Sequence, residues 1–347
     1  MTDEDPNAGP VSSGAAQAEP ANAPIRKIQA RTVPNPRFSS HFTNKLLTVP
    51  LKPLFGAEDT VFTIGSCFAE RIRIALAEQG VNVGPPMQDI VMEPDRYRID
   101  GLPKRPHMNY YNSFTIRQEF ERHAGLWKQD PADYWTLRKD PFWGGAQMYQ
   151  DPYRRAVYGR TPEDLTLAVS RIDAAIDAGI RASGVFFMTL GMAEVFVNRQ
   201  SGRIACQKPG YAGGAGEAET FFHMSSYEEN MENMERVIEI ITGIRPDARI
   251  VVTVSPVGLA RTFGDQDILV ANTEGKSILR AVLGALARKH ACVTYFPSYE
   301  IVMGNAPLSF REDDGRHVAN WVVARIVAAF KAAHFDQTRA SLRPAAE

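Results

Sequence analysis

Thr60–Glu70 reads T-V-F-T-I-G-S-C-F-A-E. Thr60–Ile64 is a short apolar run with the length and β-branched content of a buried strand. Gly65-Ser66-Cys67 follows as a small-residue turn, and Ala69–Gln79 carries helical spacing. V-N-V at Val81–Val83 reads as a second short strand. Strand, tight turn and helix in that order open a Rossmann-like α/β layer. Nothing between Gly65 and Gly84 forms G-x-G-x-x-G, so the dinucleotide fingerprint is absent. Cys67 stands at the mouth of the turn, where the chain can present it to solvent.

The same rhythm runs to the end of the chain. Thr161–Ile180 predicts a helix, with Thr161 as N-cap, Pro162 after it and acids in the first turn. Gly184–Leu190 and Arg249–Val254 read as strands covered on both faces, because their apolar runs lack clean alternation. Ser225–Thr242, Glu274–Lys289 and Trp321–His334 read as helices, and Val293–Phe296 as a short strand. Repeated strand–helix units predict a mostly parallel sheet with helices on both sides, a three-layer α/β/α fold. Residues 45–335 are expected to form one domain. Residues 97–160 interrupt the rhythm, with Trp127, Trp135 and Trp143 among many Tyr, Pro and Asn residues. They are expected to be an irregular, aromatic-rich insertion, a cap or pocket lining, helical only around Ile116–Trp127. Residues 1–36 and 336–347 read as flexible tails, 37–55 as an arm across the domain, and G-Y-A-G-G-A-G within 201–222 as a mobile loop.

Composition limits the function. The 347 residues balance Lys+Arg 39 against Asp+Glu 40, which predicts no nucleic-acid footprint. No run of 18 apolar residues predicts a membrane span. The start, M-T-D-E-D-P, lacks the pattern of a signal peptide, and a cytoplasmic location is the expectation. Cys67, Cys206 and Cys292 are scattered and odd in number, which argues against a disulfide framework. Neither the cysteines nor the histidines show ligand spacing, so no metal is expected.

Ligands of open α/β sheets sit beyond the C-terminal strand ends. Those ends are Gly65–Phe68, Gly191–Glu194, Ser255–Val257 and Pro297–Glu300. Cys67 at a helix start is a candidate nucleophile whose thiolate the helix dipole favours; it equally fits a small buried hydrophobe. Asp314 and His317 are three apart near a helix start. A carboxylate there can fix the imidazole tautomer and leave the other nitrogen to take a proton, or Asp314 can be a plain turn residue and His317 a surface histidine.

The chain resembles the GSCFA family, a branch of the SGNH/GDSL-like hydrolase superfamily. The namesake motif stands unbroken as Gly65-Ser66-Cys67-Phe68-Ala69. Thr189-Leu190-Gly191 with Glu194, Thr253-Val254-Ser255-Pro256-Val257, Ala271-Asn272, Lys276-Ser277, Leu279-Arg280, Tyr295–Glu300 and Asp314-Gly315-Arg316-His317 also match, over roughly residues 45–335. The resemblance implies a flavodoxin-like, SGNH-type sheet. It lays Gly65, Ser66 and Cys67 on the superfamily's Gly-Asp-Ser block. Cys67 thereby takes the nucleophile position, with Ser66 as rival, and Asp314 and His317 match the late Asp-x-x-His pair. The chain departs from the pattern at Gly-x-Asn-Asp, which reads Gly191-Met192-Ala193-Glu194. Ala193 supplies no oxyanion donor, and Asn112 in Tyr111-Asn112-Ser113-Phe114 offers a substitute.

The resemblance thus implies a cysteine- or serine-dependent acyl hydrolase or acyltransferase. Its substrate would be an ester or thioester of a small polar metabolite or carbohydrate. Coenzyme A is a candidate acyl donor, although no coenzyme A signature is present, and no cofactor is required. Gly191, Glu194, Lys276, Arg280, Tyr299 and Glu300 are expected to contact substrate. Lys276 and Arg280 lie four apart on one helical face, suited to an anion. The alternative is a non-catalytic, metabolite- or glycan-binding member supporting surface-polymer assembly. The oligomeric state stays open.

Overall fold

A computed structural model describes residues 27–31, 46–99, 101–206, 220–306, 308–311 and 313–336. Its centre is a five-stranded sheet of β3 (Thr60–Gly65), β4 (Asn82–Gly84), β9 (Val185–Leu190), β13 (Arg249–Val254) and β14 (Val293–Tyr295). The spatial order is β14-β13-β9-β3-β4, and every neighbouring pair is parallel. Counted along the chain that is the doubly wound order 2-1-3-4-5, whose switch point falls between β3 and β9.

Side-chain alternation sorts these strands into two cores. Phe62, Ile64, Phe186, Met188, Leu190, Ile250, Val252 and Val254 face helices α3 (Pro162–Ala182), α4 (Tyr227–Ile244) and α5 (Ile268–Lys289). Val61, Val185, Phe187 and Val251 face α1 (Cys67–Glu78), α6 (Ser298–Met303) and α7 (Asn320–His334). Both faces are therefore covered, which is why the strands read as unbroken apolar runs rather than as alternation. Thr161 caps α3 as its sequence predicts, and Ser226 and Glu229 close a full capping box on α4. Helix α5 begins at Ile268, earlier than its periodicity indicates, because Asp267 accepts from Leu269 N–H.

The insertion is more regular than its composition suggests. It holds α2 (Ser113–His123) and a four-stranded antiparallel sheet of β5 (Tyr97–Ile99), β6 (Trp135–Leu137), β7 (Met148–Gln150) and β8 (Val157–Gly159). Each strand has three residues, too few to display a period. A smaller antiparallel sheet joins β10 (Glu194–Asn198), β11 (Ile204–Ala205) and β12 (Thr220–Met224). Trp135, Leu137, Met148 and Tyr158 pack with Phe196 and Ala205 to tie the two together.

Of the expected amino-terminal tail, Lys27–Arg31 forms a strand, β1, parallel to β2 (Leu46–Pro50). The rest of that tail, residues 337–347 of the carboxy-terminal tail and the centre of the glycine-rich loop lie outside the described residues. Residues 46–55 of the arm do cross the domain, while 37–45 lie outside the described residues: Leu54 N–H donates to His334 O at 2.7 Å, and Phe55 stacks on Phe330. No helix among the described residues is long and apolar enough to cross a membrane.

One close approach sets the sheet's centre. Gly65 has φ +142°, and a Cβ there would lie 2.3 Å from Thr189 Oγ1 and 2.4 Å from Thr189 O. Gly65→Ala should cost about 3 kcal/mol or more in urea unfolding, from steric overlap added to backbone strain. Gly202→Ala, at φ +69° in open space, should cost only about 1 kcal/mol; equal losses at both positions would contradict this reading.

Candidate active site

At the end of β3 the chain turns directly into a helix. Ser66 is the N-cap of α1, its Oγ accepting from Phe68 N–H at 3.3 Å. Ser66 N–H donates to Thr189 Oγ1 at 3.0 Å, and the two hydroxyls lie 3.3 Å apart. Ser66 is 3% exposed and occupied by these roles. Cys67 is the first helical residue and is partly exposed. Its N–H has no acceptor among the described residues, as expected at the first turn of a helix. Burial pushes the thiol's pKa up; Arg316 acts most strongly against that, Glu70 adds to it, and Arg155 and Lys276 oppose it. The helix dipole was expected to favour a thiolate. Desolvation outweighs it, so Cys67 at neutral pH is a thiol that needs a base.

Asp314 and His317 come together on a tight turn before α7. Arg311 N–H donates to His317 O at 2.8 Å, Gly315 N–H to Arg311 O at 2.9 Å, and Phe310 bridges Val318. Asp314 Oδ1 accepts from the N–H groups of Arg316 and His317, both at 2.9 Å. Its Oδ2 bonds His317 Nδ1. Burial alone would raise the Asp314 carboxyl, but the His317 and backbone donors outweigh it and hold the pKa at about 2. The ionised carboxylate must accept, so Nδ1 carries the proton. Arg316 Nη2 meets Nε2 at 3.2 Å, and a guanidinium only donates, so Nε2 presents its lone pair. No hydrogen bond joins Cys67 Sγ to His317 among the described residues.

The second strand end is held from below. Tyr111 O accepts from Gly191 N–H and Met192 N–H, each at 2.9 Å. Lys276, 2% exposed, donates to Gly191 O at 2.6 Å, Ser255 O at 2.8 Å and Val257 O at 2.9 Å. Burial pushes its pKa down to about 7, and three carbonyl acceptors favour the charged form. Gly191 and Lys276, both expected to contact substrate, are engaged in tying the ends of β9 and β13 together. Asn112 caps α2, its Oδ1 accepting from Thr115 N–H at 2.9 Å, while its Nδ2 has no acceptor among the described residues. Ala193 packs against Gly275 of α5.

Other expected contacts are also placed elsewhere. Glu194, 2% exposed, accepts from Thr262 Oγ1 at 2.5 Å and Phe263 N–H at 3.2 Å, so it anchors that loop instead of meeting substrate. Arg280 and Glu300 pair at 2.6 Å, and Tyr295 OH donates to Glu300 at 2.8 Å. Lys276, Arg280 and Tyr299 line a surface hollow of about 490 Å³ with Tyr227 and Arg288; neither Cys67 nor His317 borders it. The residue that sequence reasoning passed over is Arg316, quoted in its motif without a role. Glu119, His123 and Asp173 place ligand atoms within 4.8 Å of one another. The buried Arg154 guanidinium already bonds both carboxylates, a cation in the position a metal would take.

The GSCFA family profile matches residues 60–330. No functionally curated protein matches the chain. A solved structure from Streptococcus pneumonia, whose name carries the words platelet activating factor, aligns at 16% identity and a TM-score of 0.29. The alignment covers 48% of this chain and spans 65% of that one.

Two outcomes follow from the geometry. Lys276→Met strands three carbonyls and should cost about 3 kcal/mol in chemical denaturation, whereas a surface lysine costs almost nothing. Alkylation of Cys67 by iodoacetamide should keep accelerating beyond about pH 9, the ordinary thiol value being 9.0 and burial raising it; a plateau already reached by pH 7 would mean a preformed thiolate.

Proposed function

The chain belongs to the GSCFA family, and from that premise we propose that it is a cysteine-dependent acyl hydrolase or acyltransferase. The observation that carries this reading is the Asp314–His317 pair, which leaves an imidazole lone pair beside a guanidinium that itself acts on Cys67. The thiol proton passes to His317 Nε2 as Sγ attacks the acyl carbonyl of an ester or thioester. The imidazolium, stabilised by Asp314, returns that proton to the leaving alcohol or thiol. Water or a hydroxyl acceptor, deprotonated by His317, then attacks the thioester on Cys67 and releases acid or new ester, and the thiol is restored.

Cys67 N–H and Asn112 Nδ2 are the donors this reading assigns to the oxyanion. Ala193 offers none, and Gly191 N–H is spent on Tyr111 O. A soft, intrinsically nucleophilic sulfur suits a site with so few donors. Ser66 is the less suitable nucleophile, because its oxygen caps α1 and contacts Thr189. Small polar or carbohydrate-linked esters and coenzyme A thioesters are the substrates to test. A binding-only role is the second reading, favoured by Ala193.

Intact mass after incubation with p-nitrophenyl acetate or acetyl-coenzyme A checks the assignment. The acyl adduct should vanish in Cys67→Ala and persist in Ser66→Ala, which should lose only about 1 kcal/mol of stability with its cap. His317→Ala should slow adduct formation roughly 10²- to 10⁴-fold. An adduct that survives in Cys67→Ala and disappears in Ser66→Ala would move the role to Ser66; no adduct with either reagent favours the binding reading.

A further inference from the structure

The charges around Cys67 do not cancel locally. Glu70 is the acid that acts most strongly on Cys67 among the described residues, and Arg105 holds both its oxygens, at 2.8 and 2.6 Å. Asp313 is bonded by Arg311 and Asp314 by His317. Lys276 is committed to three carbonyls. Arg155 also acts on Cys67 and has a partner of its own, so Arg316 is the cation left over. Its guanidinium reaches Gly258 O at a long 3.4 Å and His317 Nε2 at 3.2 Å, and forms no ion pair with a carboxylate among the described residues. A donor-only fork resting on an imidazole lone pair makes poor use of five N–H groups. It also blocks the nitrogen that must receive the Cys67 proton.

We propose that Arg316 selects substrates bearing an anionic group, a carboxylate or a phosphate, close to the reacting carbonyl, and that this group draws the guanidinium off His317 Nε2. This rests on the acyl-transfer reading of Cys67. An anion offers two acceptor oxygens in the geometry of the fork, a stronger match than one neutral nitrogen. As the side chain turns to the anion, Nε2 is freed to accept the thiol proton, so the group that marks a correct substrate also releases the base. Neutral esters lack this contact and meet an obstructed base.

Cys67 alkylation reads the contact without knowledge of the natural substrate. Iodoacetate and iodoacetamide differ by one charge beside the reacting carbon, and rates are followed by site-resolved mass spectrometry in a Cys292→Ser background. The iodoacetate-to-iodoacetamide rate ratio should fall on the order of tenfold in Arg316→Gln and stay near the parent value in Arg316→Lys. An equal ratio in parent and Arg316→Gln overturns the proposal. Should Arg316→Gln fail to fold, the parent protein decides. Inorganic phosphate at constant ionic strength should lower its iodoacetate-to-iodoacetamide rate ratio, because phosphate occupies the guanidinium that iodoacetate needs, and an unchanged ratio overturns the proposal. A shifted ratio in a protein that forms no acyl adduct would uphold the anion contact and defeat the acyl chemistry. An adduct with an unshifted ratio would do the reverse.

Discussion

At Gly65 a Cβ would sit 2.3 Å from Thr189 Oγ1, and this approach of β3 to β9 fixes where the site can be. It brings the Thr189 hydroxyl onto Ser66, so the cap of α1 is bonded to the neighbouring strand as well as to its own helix. Cys67 is then held at the first turn, over the switch point of the sheet. Gly191 follows the same logic one strand away: a Cβ there would come within 3.2 Å of Ser66 Cβ and 3.3 Å of Tyr111 O. Two glycines and two hydroxyls let two strand ends and the start of α2 converge where side chains of ordinary size would hold them apart.

Convergence of strand ends leaves carbonyls without partners, and Lys276 resolves this. Its ammonium takes one oxygen after β9 and two after β13. The arrangement costs desolvation, visible in the lysine's lowered pKa, and returns hydrogen bonds that no apolar side chain could supply. It also puts an ammonium near Cys67, although burial lowers its pKa to about 7. Together with Arg316 and Arg155 that charge opposes the burial that keeps the thiol protonated. Cys67 is thus a thiol in a positive field, not a ready thiolate, and under the proposed function Asp314 and His317 supply the base that the field does not.

The sheet was legible because β3, β9 and β13 are apolar on both faces, and few other local structures ask for that pattern. The insertion was not, since its order lies in pairing between three-residue strands distant in sequence. At the site, Asp314 and His317 were readable from a three-residue spacing that the turn honours. Lys276 and Arg280 show the limit of such reasoning. Their spacing puts them on one helical face, yet one dives under the strand ends and the other pairs with Glu300 across Tyr295. Glu194 is alike: its partners, Thr262 and Phe263, are nearly seventy positions away. Ser66 and Cys67 are adjacent in the text and equally nucleophilic on paper. The resemblance favours Cys67, and the cap geometry adds that the Ser66 oxygen is occupied.

A crystal structure of the protein soaked with an activated acyl ester tests the central claim most directly. Density should run continuously from Cys67 Sγ to the acyl carbon, with the carbonyl oxygen against Cys67 N–H and His317 still bonded to Asp314 through Nδ1. Density continuous with Ser66 Oγ instead, or an acylated Cys67 with His317 turned away from Asp314, would contradict it.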